Sequence, residues 1–514
     1  MSQRTFFLGV FLFVVGMAFA GTTPQPRPSP TPEVPLVEPS ASPTEALQLP
    51  EITSNSVLRV NSTNQVYNFF QPWTKKPAFS RRGLGALIEG GRILVTADLV
   101  ANSNFIELEK SNGNGKSAAT VERVDYDCNL AVLVPADASF IEGMVPVPLA
   151  KKVSIGDVAM VLQLESNGEI AETSGRISSI AVEGYPMESL GLLVYKLSIP
   201  LQQRDGSFTL PAVRDGQLIG MVMRYDARNQ SAEIISIPVI EHFLKEVEAP
   251  AFRGFPRLGL ATSPLRDPQL RHFIGINEPG GVYVSEVIPH ASAAKGGLRN
   301  GDVILALDGK PLDADGNYND PDYGRILFSH LSSTLAHPGD TLVFKIFREG
   351  KTLEIPVTME PLDRSRVVSE AFIADRAPKY VILGGLVFIE LSRPFLREWG
   401  GDWLKSAPQR LVYYDTFQNE LPKDRGKIII LAQVLPSPDT IGYTNLENLV
   451  VKSVNGRPIK SLENLVEAAR HPEKGFQKIE FEEDPKLIFL DAASIQANRE
   501  ALIKHYALPA LERL

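Results

Sequence analysis

The chain has 514 residues, 44% of them apolar, and a formal net charge of -8, which is length enough for roughly two to four domains. The acidic balance lacks the basic footprint of a nucleic-acid binder. The single cysteine, Cys128, excludes intramolecular disulfides and any multi-cysteine metal site, and reads as a small buried hydrophobe.

The first residues, MSQRTFFLGVFLFVVGMAFAGTT, carry a basic Arg4, an apolar run from Phe6 to Phe19 and a small-residue AFA ending at Ala20. This is the pattern of a secretory signal cleaved before Gly21. An uncleaved anchor is the alternative, although the run is short for a membrane span. No cysteine follows the site, which argues against a lipid anchor. Residues 1–20 are thus expected to direct export, to a periplasm or beyond. Residues 21–51, rich in Pro, Ser and Thr, cannot build a core and read as an extended spacer.

From 52 to 248 the signals are short apolar runs between turn residues, such as GALIEGGRILVTADLV, NLAVLVPAD and GQLIGMVMRY. Such runs predict antiparallel strands in a barrel or sandwich. IPVIEHFLKEVEAP closes the region with helical spacing. A second unit, 255–362, holds RLGLATSPL, a glycine-rich strand-turn-strand segment, a helical YGRILFSHLSSTLA and a closing strand pair. A third, 372–514, repeats this grammar more loosely. Two copies of strand, Pro, glycine turn, strand, [DN]-G-[KR]-P, helix, roughly 145 residues apart, indicate a duplicated module. DADGNYND, residues 313–320, has its glycine and its twelfth position wrong for a calcium loop. It reads as a polar loop whose Asx residues cap turns before a helix near Tyr323. No metal and no cofactor is expected.

The segment GVYVSEVIPHASAAKGGLRNGDVILALDGKPL, beginning at Gly281, resembles the PDZ domain fused to HtrA/Deg (protease Do-like) serine proteases. LGGLVFIELSRPFL and NLENLVVKSVNGRPIKSLENL resemble the second PDZ-like domain of plant-type Deg proteases. With the region upstream, the resemblance covers everything after the spacer. It implies a mainly β chain with α+β modules: a trypsin-like double β-barrel followed by two PDZ-type domains. In that family a bound peptide adds a strand, and backbone amides of a loop take its terminal carboxylate. Arg257, Leu258, Gly259 and Leu260 match that loop, and Leu383, Gly384, Gly385 and Leu386 hold its position in the second copy.

The same resemblance places Leu99, in ILVTADLV, at the family's catalytic histidine and Asn129, in DCNLAVL, at its aspartate. In GSFTLP, Phe208 falls at the serine, and Ser207 lies one residue early. Thr209 and Leu210 replace the glycines of the oxyanion hole. All seven histidines lie at or beyond His242, so a serine hydroxyl in the barrels lacks an imidazole base. Asp98 and Lys196, the conceivable substitutes, read as solvated loop and strand-edge residues. The expectation is a catalytically degenerate member that binds peptides or misfolded envelope proteins and has a chaperone-like or assembly role. It is expected to form a homo-oligomer. The alternatives are an active endopeptidase using Ser207 in a non-standard site, or a regulatory subunit of an active Deg-type protease.

Overall fold

The computed structural model describes residues 55–514 except 112, 114, 166–168, 188–189, 203–208, 278 and 423. The expected signal 1–20, the spacer 21–51, Ser207 and Phe208 lie outside the described residues. No helix among the described residues is long and apolar enough to cross a membrane.

Strands β1 (Val57–Asn64), β2 (Phe79–Ile88), β3 (Arg92–Thr96), β4 (Ser103–Lys110), β5 (Lys116–Asp125) and β6 (Leu130–Pro135) close an antiparallel barrel in the order β1-β2-β3-β6-β5-β4. The alternation of β1, where Leu58 and Val60 face inward and Arg59 outward, is the period of a half-buried strand. A second closed barrel has the order β10-β11-β12-β9-β8-β7. Its strands are β7 (Val158–Leu164), β8 (Ile170–Gly184), β9 (Gly191–Ser198), β10 (Leu210–Arg214), β11 (Gln217–Asp226) and β12 (Ser231–Ser236). Closure leaves neither barrel an open edge. Helix Ile237–Glu248 follows and buries Val239, Ile240 and Phe243.

The first module is a sheet ordered β13 (Leu260–Pro264), β14 (Val282–Val287), β15 (Val303–Leu307), β19 (Thr341–Arg348), β20 (Lys351–Thr358), with β16 (Lys310–Pro311) paired to β15. The segment expected as one helix from Tyr323 is not one. Gly324–Leu327 is strand β18, hairpinned with β17 (Asn317–Asp320), and only His330–Leu335 coils, as a π-type turn. The reason is local: Asp320 Oδ1 accepts from Asp322 N–H at 2.9 Å and Tyr323 N–H at 3.1 Å, which turns the chain back on itself. Asp313 and Asp315 face Arg325 at 2.6 and 2.7 Å.

The second module repeats this order in an eight-stranded sheet, with β22 (Leu386–Glu390), β23 (Ile429–Val434), β24 (Leu449–Val454) and β26 (Phe476–Phe481) standing where β13, β14, β15 and β19 stand in the first. It has β25 (Arg457–Pro458) paired to β24 and β27 (Leu487–Asp491) at one end. At the other end it adds β21 (Tyr380–Leu383) and then β28 (Glu512–Arg513). One buried apolar cluster runs from the second barrel (Tyr195, Phe243) into the first module (Val284, Phe344). The π-type turn lies in that junction: Leu193 N–H donates to Thr334 Oγ1 at 3.1 Å and Ser333 Oγ donates to the Gly191 carbonyl at 2.7 Å.

Candidate functional site

Leu99 sits in a helical turn, Ala97–Val100, fully buried in the core of the first barrel. Asn129 is also buried, at φ 55°, a conformation asparagine tolerates better than most residues. Its carbonyl accepts from Ala97 N–H at 3.0 Å and its Oδ1 from Asp98 N–H at 3.0 Å. It therefore caps the turn that carries Leu99 and satisfies donors that have no intrahelical partner. Thr209 is buried, and its Oγ1 accepts from Thr96 N–H at 3.3 Å. The sequence thus brings Leu99, Asn129 and Thr209 to one place and fills it with packing and hydrogen bonds.

Asp98 departs from expectation. It is not a solvated loop residue: burial raises its carboxyl above the usual range, with Arg81 opposing, and Oδ1 is buried without a hydrogen-bond partner among the described residues. Lys196 departs from expectation too: it is not a strand-edge residue but sits within β9, between β8 and β12, half-buried and paired with Glu183 at 2.6 Å. Cys128 is fully buried, and burial raises its thiol well above the ordinary value. His242 contacts the Thr334 and Gly254 carbonyls at 3.1 and 3.3 Å, and His330 lies 2.7 Å from the Tyr318 hydroxyl. Neither ring meets Leu99, Asn129 or Thr209.

The loop 257–260 is held open by its surroundings. Arg257 N–H donates to Glu360 O at 2.8 Å, Leu258 O accepts from Ala293 N–H at 2.8 Å and Gly259 O accepts from Ile288 N–H at 2.9 Å. With the carbonyls turned inward, the N–H groups of Leu258 and Gly259 have no hydrogen-bond partner among the described residues. Gly259 has φ 72°, and a Cβ there would lie 2.1 Å from Ala291 Cβ, so only glycine makes this turn. Leu258 and Leu260 lie half-buried against the core. Strand β13 begins at Leu260 and pairs only with β14, which leaves its other edge unpaired among the described residues. Arg257 points the other way, to Asp127 Oδ1 at 2.7 Å. Nothing in the linear pattern marks that pair, whose members are 130 residues apart.

The second copy differs. Leu383 pairs with Leu386, so Gly384 and Gly385 form a hairpin turn between β21 and β22. Gly385 O accepts from Leu435 N–H at 2.7 Å and Gly384 O from Ser437 Oγ at 3.1 Å. The edge of β22 equivalent to the free edge of β13 is covered by β21. The resemblance gives the two loops equivalent places, but edge occupancy depends on distant pairing.

Models of the PDZ domain match residues 256–359 and 370–512. The putative protease Do-like 3, mitochondrial, of Arabidopsis thaliana is 27% identical over 468 residues, covering 90% of this chain and 80% of its own length. The chloroplastic protease Do-like 2 of the same plant is 28% identical over 465 residues, covering 89% and 74%. The chain belongs to the HtrA/Deg family. The solved HtrA-type protease AlgW with decapeptide is 17% identical, with a TM-score of 0.45 and coverage of 60% of this chain and 96% of that one. The barrels of this HtrA/Deg chain are its trypsin-like part, and the two modules are its PDZ domains, PDZ1 and PDZ2.

Proposed function

We propose that this HtrA/Deg chain is an exported, non-catalytic member that captures free C-termini or extended apolar segments of misfolded proteins through PDZ1. The barrels and PDZ2 then serve as a platform for homo-oligomeric assembly or for docking to an active Deg-type protease. The observation that carries the reading is the unpaired edge of β13, preceded by the unbonded amides of Leu258 and Gly259. An incoming strand gains main-chain hydrogen bonds along such an edge, and two converging amides suit a carboxylate. Leu258 and Leu260 offer the apolar contact for its side chains. The non-catalytic half rests on the packed state of Leu99 and the capping role of Asn129, which leave neither a base nor an orienting carboxylate at those positions.

The test is binding of a peptide library in two forms, with free and amidated C-termini. Amidation is expected to weaken binding about tenfold, the ~1.5 kcal/mol of a charged hydrogen bond. Equal binding of the two forms sinks carboxylate capture. Cleavage of unfolded casein, or an adduct with an activated-serine probe, sinks the non-catalytic half. Export predicts a mature N-terminus at Gly21.

A further inference from the structure

The first barrel, the 252–254 linker and the 361–376 linker enclose a cleft of about 290 Å³. One wall is Asp125, 8% exposed. Its Oδ1 accepts from Asp127 N–H at 2.8 Å, whereas Oδ2 is buried with no hydrogen-bond partner among the described residues. Gly254, at φ 68°, keeps the space before Oδ2 clear, because a Cβ there would come within 3.1 Å of it. Tyr126 and Phe372 line the cleft, their ring centroids 4.9 Å apart, with Phe252 beside them.

The cations around the cleft are already matched. Arg253 meets Glu246 at 3.2 Å, Arg376 meets Glu370, Arg364 lies 3.5 Å from Asp127, and Arg257 meets Asp127 at 2.7 Å. What remains is one buried carboxylate oxygen in the wall of a cleft that the rings of Tyr126 and Phe372 also line. Burial, and then the charge of Asp127, push the Asp125 carboxyl up to about 7 despite Arg364 and Arg257. The local field therefore disfavours the anion, and an added positive charge would relieve it. A hard metal ion needs about six or more oxygen ligands, which a single free carboxylate oxygen does not supply.

We propose that this cleft recognises one organic cation, an alkylguanidinium or alkylammonium group, through Asp125 Oδ2 and the rings of Tyr126 and Phe372. A carboxylate supplies the charge-assisted hydrogen bond, and aromatic faces attract a partly desolvated cation. The cleft lies near the lower end of the roughly 300 to 1,000 Å³ of small-molecule sites, which suits a side chain or a short polyamine. The cation requires ionised Asp125, so affinity rises with pH up to about 7 and levels off above it. The other charged groups lining the cleft are Asp127, Glu370, Arg253, Arg364 and Arg376; Arg257 meets Asp127 beside it, and Asp375 accepts from the Tyr126 hydroxyl.

The experiment is titration calorimetry of the full chain at pH 8 with three probes: Nα-acetyl-arginine methylamide, agmatine, and the neutral citrulline analogue of the first. Saturable binding of the arginine derivative, without agmatine, supports a protein side chain as ligand; binding of agmatine as well supports a free amine source. In either case Asp125→Asn, which keeps the acceptor for Asp127 N–H, is expected to bind about tenfold or more weakly. Gly254→Ala, which crowds Oδ2, is expected to weaken binding too, and PDZ1 peptide affinity stays unchanged in both variants. No saturable heat with either cation, equal affinity in Asp125→Asn, or equal binding of the citrulline analogue overturns the proposal.

Discussion

The Asn129 carboxamide caps a turn whose leucine, Leu99, is sealed in the barrel core. Placing a polar residue there is therefore a packing change before it is a chemical one. Leu99→His buries an imidazole without a built partner and is expected to lower stability by about 2–4 kcal/mol. The loss grows from pH 7.5 to 5.5, because a buried imidazole resists protonation. Guanidinium unfolding at the two pH values checks this, and equal losses at both would refute it.

His242 and His330 are already in that situation, each lowered to about 4 mainly by burial. Since the folded values lie below the ordinary 6.5, their stabilisation is present above pH 6.5 and is lost as pH falls toward 4. Asp125, raised to about 7, acts with the opposite sign: its contribution is present at low pH and is lost as pH rises from its ordinary 3.8. The contributions oppose one another between pH 4 and 6.5, each being on the order of 3–4 kcal/mol. Asp125→Asn is expected to unmask the histidines, with an unfolding midpoint that falls more steeply below pH 6.5 than the wild type's. Parallel midpoint curves would show that the opposition does not exist.

At the scale of elements, the two PDZ sheets share an order and differ at one edge. β13 is unpaired on one side, whereas β22 is covered by β21, which is itself paired with β28. An unpaired edge is a liability that proteins keep only where it is short or useful. Gly259→Ala sets a Cβ against Ala291 at positive φ, a strain on the order of 1–3 kcal/mol. Peptide affinity measured by fluorescence anisotropy is expected to fall, while amide exchange in the barrel strands is unchanged. Retained affinity would move peptide capture away from this loop.

At the scale of the molecule, the first barrel reaches PDZ2 through the aromatic loop between β1 and β2. Phe70 packs edge-on against Phe395 and Trp399 at 5.6 and 4.8 Å, and Trp73 against Tyr380 at 5.8 Å. Arg513 lies over Tyr67 and Tyr380 and donates to the Pro72 carbonyl at 3.1 Å. Asn102 and Asp375 exchange backbone-to-side-chain hydrogen bonds of 2.7 and 3.0 Å. Each aromatic pair contributes about 0.5–1.5 kcal/mol beyond buried area, so Phe70→Ala with Trp73→Ala is expected to loosen PDZ2. Small-angle scattering should then show a larger radius of gyration, and proteases should cut within 362–379; an unchanged radius would assign the docking to the Asn102–Asp375 contact instead.

What the sequence determined by itself was the local grammar and its repeat. Short apolar runs between Gly and Asn turns specify antiparallel strands of a barrel or sandwich, and the twice-occurring strand-turn-strand specifies a duplicated module, which the family resemblance identifies as PDZ. These signals are legible because neighbouring residues set backbone preference and face. The hairpin Asn317–Leu327 escaped that grammar: apolar Ile326 and Phe328 also suit a helix, and the Asx turn at Asp320 decides against it. Only the tertiary structure decided that β13 keeps a free edge while β22 loses its own, that Arg257 meets Asp127, and that Asp125 keeps an unmatched oxygen. Each of these depends on which distant segments arrive beside a residue, and burial and charge pairing come from that arrival, not from the order of residues along the chain.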